Sequence, residues 1–149
     1  MPGVKSLAAQ QYYAHPQNAF WKAMGDIFDA DVSDYAARCN LIRAHDLALW
    51  DVLKYCEREG SLDAAIRQDS MIVNDFAAFF KKHKNIAKVC LNGGTAARVF
   101  QKHVLPQLPA PFAARLTVLP LPSTSPAHAG MRYADKLKIW RSILKATDE

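Results

Sequence analysis

The stretch from Ile86 to Val104 constrains this chain more than any other. Ile86-Ala87-Lys88-Val89-Cys90-Leu91 is a short apolar run of the length and composition of a strand, and it ends in Asn92-Gly93-Gly94, a turn signal. Thr95 to Val104 then follows with helical character, which makes the whole stretch a strand–turn–helix unit. A second strand is read at Leu116-Thr117-Val118-Leu119, after a segment that Pro106, Pro109 and Pro111 mark as a loop. Strands that alternate with helices imply a parallel sheet covered on both faces, so the expected fold is a three-layer αβα domain with a short, mostly parallel sheet.

The remaining elements fit around that unit. Phe20, Trp21, Met24, Ile27 and Phe28 recur at helical spacing after the His15-Pro16 turn, with Asn18 placed as an N-cap. A second helical stretch runs from Ser33 to Ala44, and Leu47 to Leu53 reads as a short strand ending near Trp50. Ser61 opens a turn into Leu62 to Ile66, and Asn74 is the expected cap of a helix from Asp75 to His83 with Phe76, Phe79 and Phe80 on one stripe. A last helix is expected from about Met131 to Leu144.

A length of 149 residues with 50% hydrophobic content suits one domain spanning residues 1–149. The net charge of +5 favours a polyanionic partner, though mildly. Three widely spaced cysteines, Cys39, Cys56 and Cys90, suit reduced, buried thiols, and neither a CxxC pair nor a Cys/His cluster offers the ligands of a zinc or iron–sulfur site. The expectation is a cofactor-free, metal-free, cytoplasmic monomer without an obligate protein partner. Nothing in the sequence reaches the length of a membrane span, and MPGVKSLAAQQ lacks the form of a signal peptide.

In a parallel sheet the binding crevice lies beyond the carboxyl ends of the strands. The loops expected there are Gln10 to Asn18, Asn92 to Gly94 and Leu121 to Ala129. In the first, Tyr12, Tyr13 and Phe20 offer stacking faces while His15 and Asn18 are polar, although a capped helix with aromatic packing explains the same residues. Asn92 offers a donor and an acceptor for the edge of a base. Ser123, Thr124 and Ser125 are hydroxyls suited to phosphate oxygens, or to an ordinary turn.

MPGVKSL followed by YYAHPQNAFW resembles the first motif of the hypoxanthine-DNA glycosylase branch of the uracil-DNA glycosylase superfamily. AHPxNxFW is also similar to the mismatch-specific uracil/thymine branch. LPSTSPAHA lies where that superfamily carries a Ser/Pro-rich loop that presses on the DNA backbone. Similarity continues through HDLALWDVLKYCEREGSLDAAI, NDFAAFF and KLKIW, and so covers nearly the whole chain. The resemblance implies a uracil-DNA-glycosylase-like fold and a base-excision enzyme that hydrolyses the N-glycosidic bond of a flipped, deaminated base in DNA, most of all hypoxanthine. It implies Asn18 as the principal catalytic residue, with His15 as a helper. No lysine stands in these loops as a Schiff-base nucleophile, which favours a monofunctional hydrolase over a lyase.

Relatives in that family carry a strand and a Gly-Ser pair before the Met-Pro-Gly with which this chain begins. The expectation is therefore that the first strand is missing here, either because Met1 is an internal methionine of a longer reading frame, the favoured explanation, or because this shortened form is real and compromised. Uracil and thymine branches carry Asn or Asp where this chain has Met1, which makes a uracil or mismatch-specific glycosylase the second reading. Rival classes are a non-catalytic nucleic-acid-binding domain and a small-molecule enzyme using Asn92-Gly93-Gly94 for phosphate, a motif too short for a dinucleotide or P-loop fingerprint.

Overall fold

The computed structural model describes residues 11–55, 66 and 70–144. The opening MPGVKSL, Gln10, Cys56 and the turn from Ser61 through Ala65 lie outside the described residues.

Helix α1, Phe20–Phe28, buries Phe20, Trp21, Ala23, Met24 and Ile27, the apolar stripe its spacing requires. It ends where Asp29 turns left-handed and its N–H closes onto the Gly25 carbonyl. Helix α2, Tyr35–Ala44, starts on Asp34, whose carboxylate accepts from the Ala37 N–H at 2.7 Å. Strands β1, Leu53–Tyr55, and β2, Ile72–Val73, pair antiparallel across an irregular register. Helix α3, Phe76–Lys82, follows, then β3, Lys88–Asn92, and helix α4, Gly94–Val99, which continues as a wider π-helical turn over Phe100–Val104. After a short helix α5, Ala110–Arg115, strand β4, Thr117–Leu121, runs parallel to β3 in the register Lys88 to Thr117 through Asn92 to Leu121. Helix α6, Tyr133–Trp140, and a single 3-10 turn at Arg141–Leu144 complete the described elements.

Alternation along β4 explains the layers. Val118 and Leu121 are of opposite parity, so their side chains leave opposite faces of the sheet. Leu121 packs with Phe20, Trp21, Met24, Ile27, Leu41 and Trp140 of α1, α2 and α6. Val118 packs on the other side with Leu91 and with Phe76, Phe80, Phe100, Val104 and Leu108. The result is the expected α/β arrangement, a short parallel sheet between two helical layers. Among the described residues no helix is long and apolar enough to cross a membrane.

Several local expectations are corrected. The strand read at Leu47 to Leu53 begins only at Leu53, and Leu47 to Trp50 is irregular. Leu47 and Leu49 instead pack against the α1–α2 core, while Trp50 sits against Phe76 and Phe79 with both centroid separations at 5.0 Å. The cap of α3 is Asp75, which accepts from the Ala78 N–H at 3.1 Å, whereas Asn74 spends its amide on the Asp51 carbonyl at 2.6 Å. The proline segment is not a plain loop: Pro106 and Pro111 sit in the first turns of a 3-10 turn and of α5, where a missing N–H costs nothing. Of the cysteines, Cys39 is half-buried and Cys90 exposed, so neither is the buried thiol expected; Cys90 leaves the face of β3 opposite Leu91.

Candidate active site

The three loops meet, and the third is bonded to each of the other two. Asn92, the last residue of β3, donates from Nδ2 to Thr124 Oγ1 at 2.9 Å and accepts from the Thr124 N–H at 3.0 Å on Oδ1. Its amide also stands close enough to the Tyr13 hydroxyl to pull the pKa of that phenol down, which sets the first loop beside the second. The Ala19 N–H donates to the Thr124 carbonyl at 3.0 Å, which ties the first loop to the third. Gly93 donates to the Leu121 carbonyl at 2.9 Å, and at φ +96° its Cα lies so close to the third loop that a Cβ there would stand 3.1 Å from Ser123 Cβ. Only glycine serves at that position without strain.

The first loop holds the polar residues in a tight turn. The Asn18 N–H donates to the His15 carbonyl at 2.9 Å, and the Gln17 N–H donates to His15 Nδ1 at 3.1 Å. With Nδ1 accepting, the neutral imidazole carries its proton on Nε2, which leaves that atom as a donor. Asn18, expected as the N-cap of α1, stands one residue before it: the N-cap is Ala19, which makes no side-chain cap bond. Asn18 Oδ1 nonetheless accepts from the Phe20 N–H at 3.0 Å, so it does part of a cap's work. Among the described residues its Nδ2 has no partner, and Asn18 lines a cavity of about 230 Å³ together with Tyr13, His15, Lys22 and Arg38.

The aromatic residues fall into a stack with an inside and an outside. Phe20, only 3% exposed, is packed face to face by Tyr13 at 4.1 Å and edge-on by Trp21 at 4.8 Å and Trp140 at 5.8 Å. It therefore backs the Tyr13 ring, while Tyr12 and Tyr13 remain half-buried at the surface of the loop. Tyr13 adopts a left-handed backbone at φ 54°, a costly conformation for an aromatic residue. Burial pushes its hydroxyl up to about 12, against the opposing bond from Asn92. Tyr13 is thus a neutral hydrogen-bonding phenol throughout the physiological range.

The third loop divides likewise. Thr124 is 3% exposed and faces inward onto Asn92. Ser123 Oγ accepts from the Ser125 N–H at 3.1 Å, and Ser125 Oγ accepts from the Ala127 N–H at 3.2 Å. Each serine hydroxyl has thus used one lone pair internally and retains its proton for an outside acceptor. Ser125 also lines a second cavity of about 200 Å³, shared with Gln17, His128, Tyr133 and Lys136.

A hypoxanthine DNA glycosylase of Methanosarcina barkeri is 34% identical to this chain over 95 residues, covering 62% of the chain and 59% of that protein. A hypoxanthine DNA glycosylase of Methanosarcina acetivorans is 32% identical over 98 residues, covering 64% of the chain and 61% of that protein. Over the matched part the chain is similar to these hypoxanthine DNA glycosylases. The matched part spans less than two thirds of the length of either curated relative. No family profile matches the sequence.

Two residues beside the loops carry no signal in the sequence motifs. Asp51 is a partly buried carboxyl close enough to Tyr12 and Tyr13 to push both of their hydroxyls up, and burial in turn raises its own pKa. A lone acid inside LALWDVL was the available signal. Lys136 is buried under the third loop at 7% exposure, and nothing in KLKIW separates it from the exposed Lys138 except helical phase. Among the described residues no group of three or more His, Cys, Asp or Glu side chains converges on a metal position.

Proposed function

We propose that this chain carries the catalytic pocket of a monofunctional DNA glycosylase that removes a deaminated base, hypoxanthine foremost. The observation that carries the proposal is the convergence of Asn18, His15 and Tyr13 on one cavity, with the hydroxyl loop bonded to the same turn through Ala19 and Thr124. The similarity to two proteins named as hypoxanthine DNA glycosylases supports the same substrate.

A base inside a duplex is out of reach, so such an enzyme must extrude the nucleotide and compensate for the lost stacking. Tyr12 and Tyr13 supply the stacking surface in this reading, with Phe20 behind Tyr13 and Asn92 beside the Tyr13 hydroxyl. Hydrolysis forms a bond from water oxygen to C1′ and breaks the C1′–N9 bond, whose electron pair leaves with the purine. Negative charge grows on the departing base, and preorganised donors stabilise it. The Nδ2 of Asn18, without a partner among the described residues, is one such donor, and the same amide can instead orient the water; neither task needs a titrating group. His15 Nε2–H is the second donor. Ser123 and Ser125 bind phosphate oxygens of the strand, which positions the protein without reading sequence.

The test is incubation of the purified protein with end-labelled duplexes that contain hypoxanthine, uracil, xanthine or a thymine mismatch, followed by alkaline cleavage at abasic sites. Cleavage at hypoxanthine above all others is the expected result. Absence of abasic sites on every duplex defeats the reading.

A further inference from the structure

Helix α6 grips both limbs of the hydroxyl loop with one of its faces. Trp140 Nε1 donates to the Pro122 carbonyl at 2.8 Å on the limb entering the loop, and Lys136 Nζ donates to the His128 carbonyl at 2.7 Å on the limb leaving it. The two residues are four apart in the helix and so lie one turn apart on the same face. Both are buried, at 4% and 7% exposure.

Lys136 is the unusual member. Lysine is seldom buried without a charged partner, because taking an ammonium out of water is costly. Among the described residues no carboxylate pairs with Lys136; its bond goes to a backbone carbonyl, and burial draws its pKa below the ordinary lysine range. An apolar side chain would fill this place at lower cost. The other buried polar residue among those described is Thr124, in the loop that Lys136 holds. The His128 N–H in turn closes a turn onto the Ser125 carbonyl at 3.0 Å, so the Lys136 bond fixes the very turn that carries Ser125.

We infer that Lys136 and Trp140 are positioning residues: a two-point clamp that sets loop 122–128 in the shape that meets the phosphates of a DNA strand. The inference rests on reading that loop as the backbone contact. Lys136 acts through the loop, by holding the Ser125–His128 turn so that the two serine hydroxyl protons point outward together.

Two measurements on the whole chain test it. In the absence of DNA, amide hydrogen exchange at Ser125, Ala127 and His128 is compared between the original protein, Lys136→Met and Lys136→Arg. Lys136→Met is expected to speed exchange at those amides tenfold or more while Lys88 to Asn92 keep their protection, and Lys136→Arg is expected to restore most of the slowing. Affinity for a short duplex with an abasic-site analogue is then expected to fall about tenfold in Lys136→Met, with partial recovery in Lys136→Arg. Unchanged loop exchange, or exchange raised equally in the loop and in the sheet, overturns the clamp. A loosened loop with full DNA affinity overturns its role in DNA contact. If the original protein binds no DNA while Lys136→Met still loosens the loop, the proposed function falls together with the DNA role, and the clamp itself stands.

Discussion

Asn92 and Thr124 hold each other at both ends: the amide nitrogen of Asn92 donates to the threonine hydroxyl at 2.9 Å, and the threonine N–H returns a bond of 3.0 Å to the amide oxygen. The pair joins the end of β3 to the hydroxyl loop, and the Thr124 side is almost wholly buried. Removing one partner of a buried bond leaves the other unsatisfied, which costs about 1–3 kcal/mol. Asn92→Ala is therefore expected to lower unfolding stability by about 2–3 kcal/mol, and Thr124→Val by about 1 kcal/mol, since the valine keeps the shape and the backbone N–H. Urea unfolding of the two variants checks the order; equal losses would mean that the backbone bond contributes nothing.

Asn18→Ala separates an enzyme from a binding domain. The Phe20 N–H loses its acceptor, a loss of about 1 kcal/mol in stability, so the protein remains folded. Removal of a donor aimed at developing charge costs on the order of 100- to 1,000-fold in turnover. The expected outcome is a fall of that size in single-turnover rate on hypoxanthine DNA, with affinity for the same duplex within about threefold. A variant that retains the original rate removes Asn18 from the chemistry.

Gly93→Ala is expected to be among the costlier substitutions for its size. The position is at φ +96°, and a Cβ would meet Ser123 Cβ at 3.1 Å, backbone against loop and not the tip of a flexible chain. Strain of this kind is of order 1–3 kcal/mol. The effect should appear both in thermal unfolding and in weaker DNA binding, because Ser123 must move. The neighbouring Gly94 has nothing within 4 Å of such a Cβ, and Gly94→Ala is the matched control.

Asp51 makes stability depend on pH with a definite sign. Burial raises its pKa above the ordinary carboxylate value, so between those two values the folded chain binds more protons than the unfolded one. Its contribution to stability is fully present below the unfolded pKa and is lost as pH rises through the folded pKa. Asp51→Asn removes the charge at every pH. It is expected to raise Tm at neutral pH and to leave it unchanged near about pH 3. Thermal melts of both proteins across that range show whether the difference opens as pH rises; a difference that opens in the acid direction contradicts the assignment.

The layering was legible because it follows from strand periodicity and turn residues: Ile86 to Gly94 predicted a strand, a turn and a helix, and β3 and α4 stand there. The second and third loops were legible together, since parallel topology puts the ends of β3 and β4 side by side. The roles inside them were less so. Nothing in STS distinguishes Thr124, turned inward onto Asn92, from its serine neighbours, because the direction of each side chain is set by Asn92 from 32 positions away. Leu47 to Leu53 looked like a strand because apolar content does not report backbone pairing; Leu47 and Leu49 pack into a helical core instead. Lys136 was invisible for a similar reason, since only the fold puts a carbonyl over its ammonium.

The spent lone pairs of Ser123 and Ser125 bear on how such a protein would move along DNA. A hydroxyl proton grips a phosphate without neutralising it, so a loop that bound DNA in this way would displace few counterions, and its hold would be nearly indifferent to ionic strength. The diffuse charge of +5 behaves oppositely and fades as salt rises. Travel along the duplex and arrest at a damaged nucleotide would then belong to different parts of one small surface, the first tuned by the medium and the second by the loop.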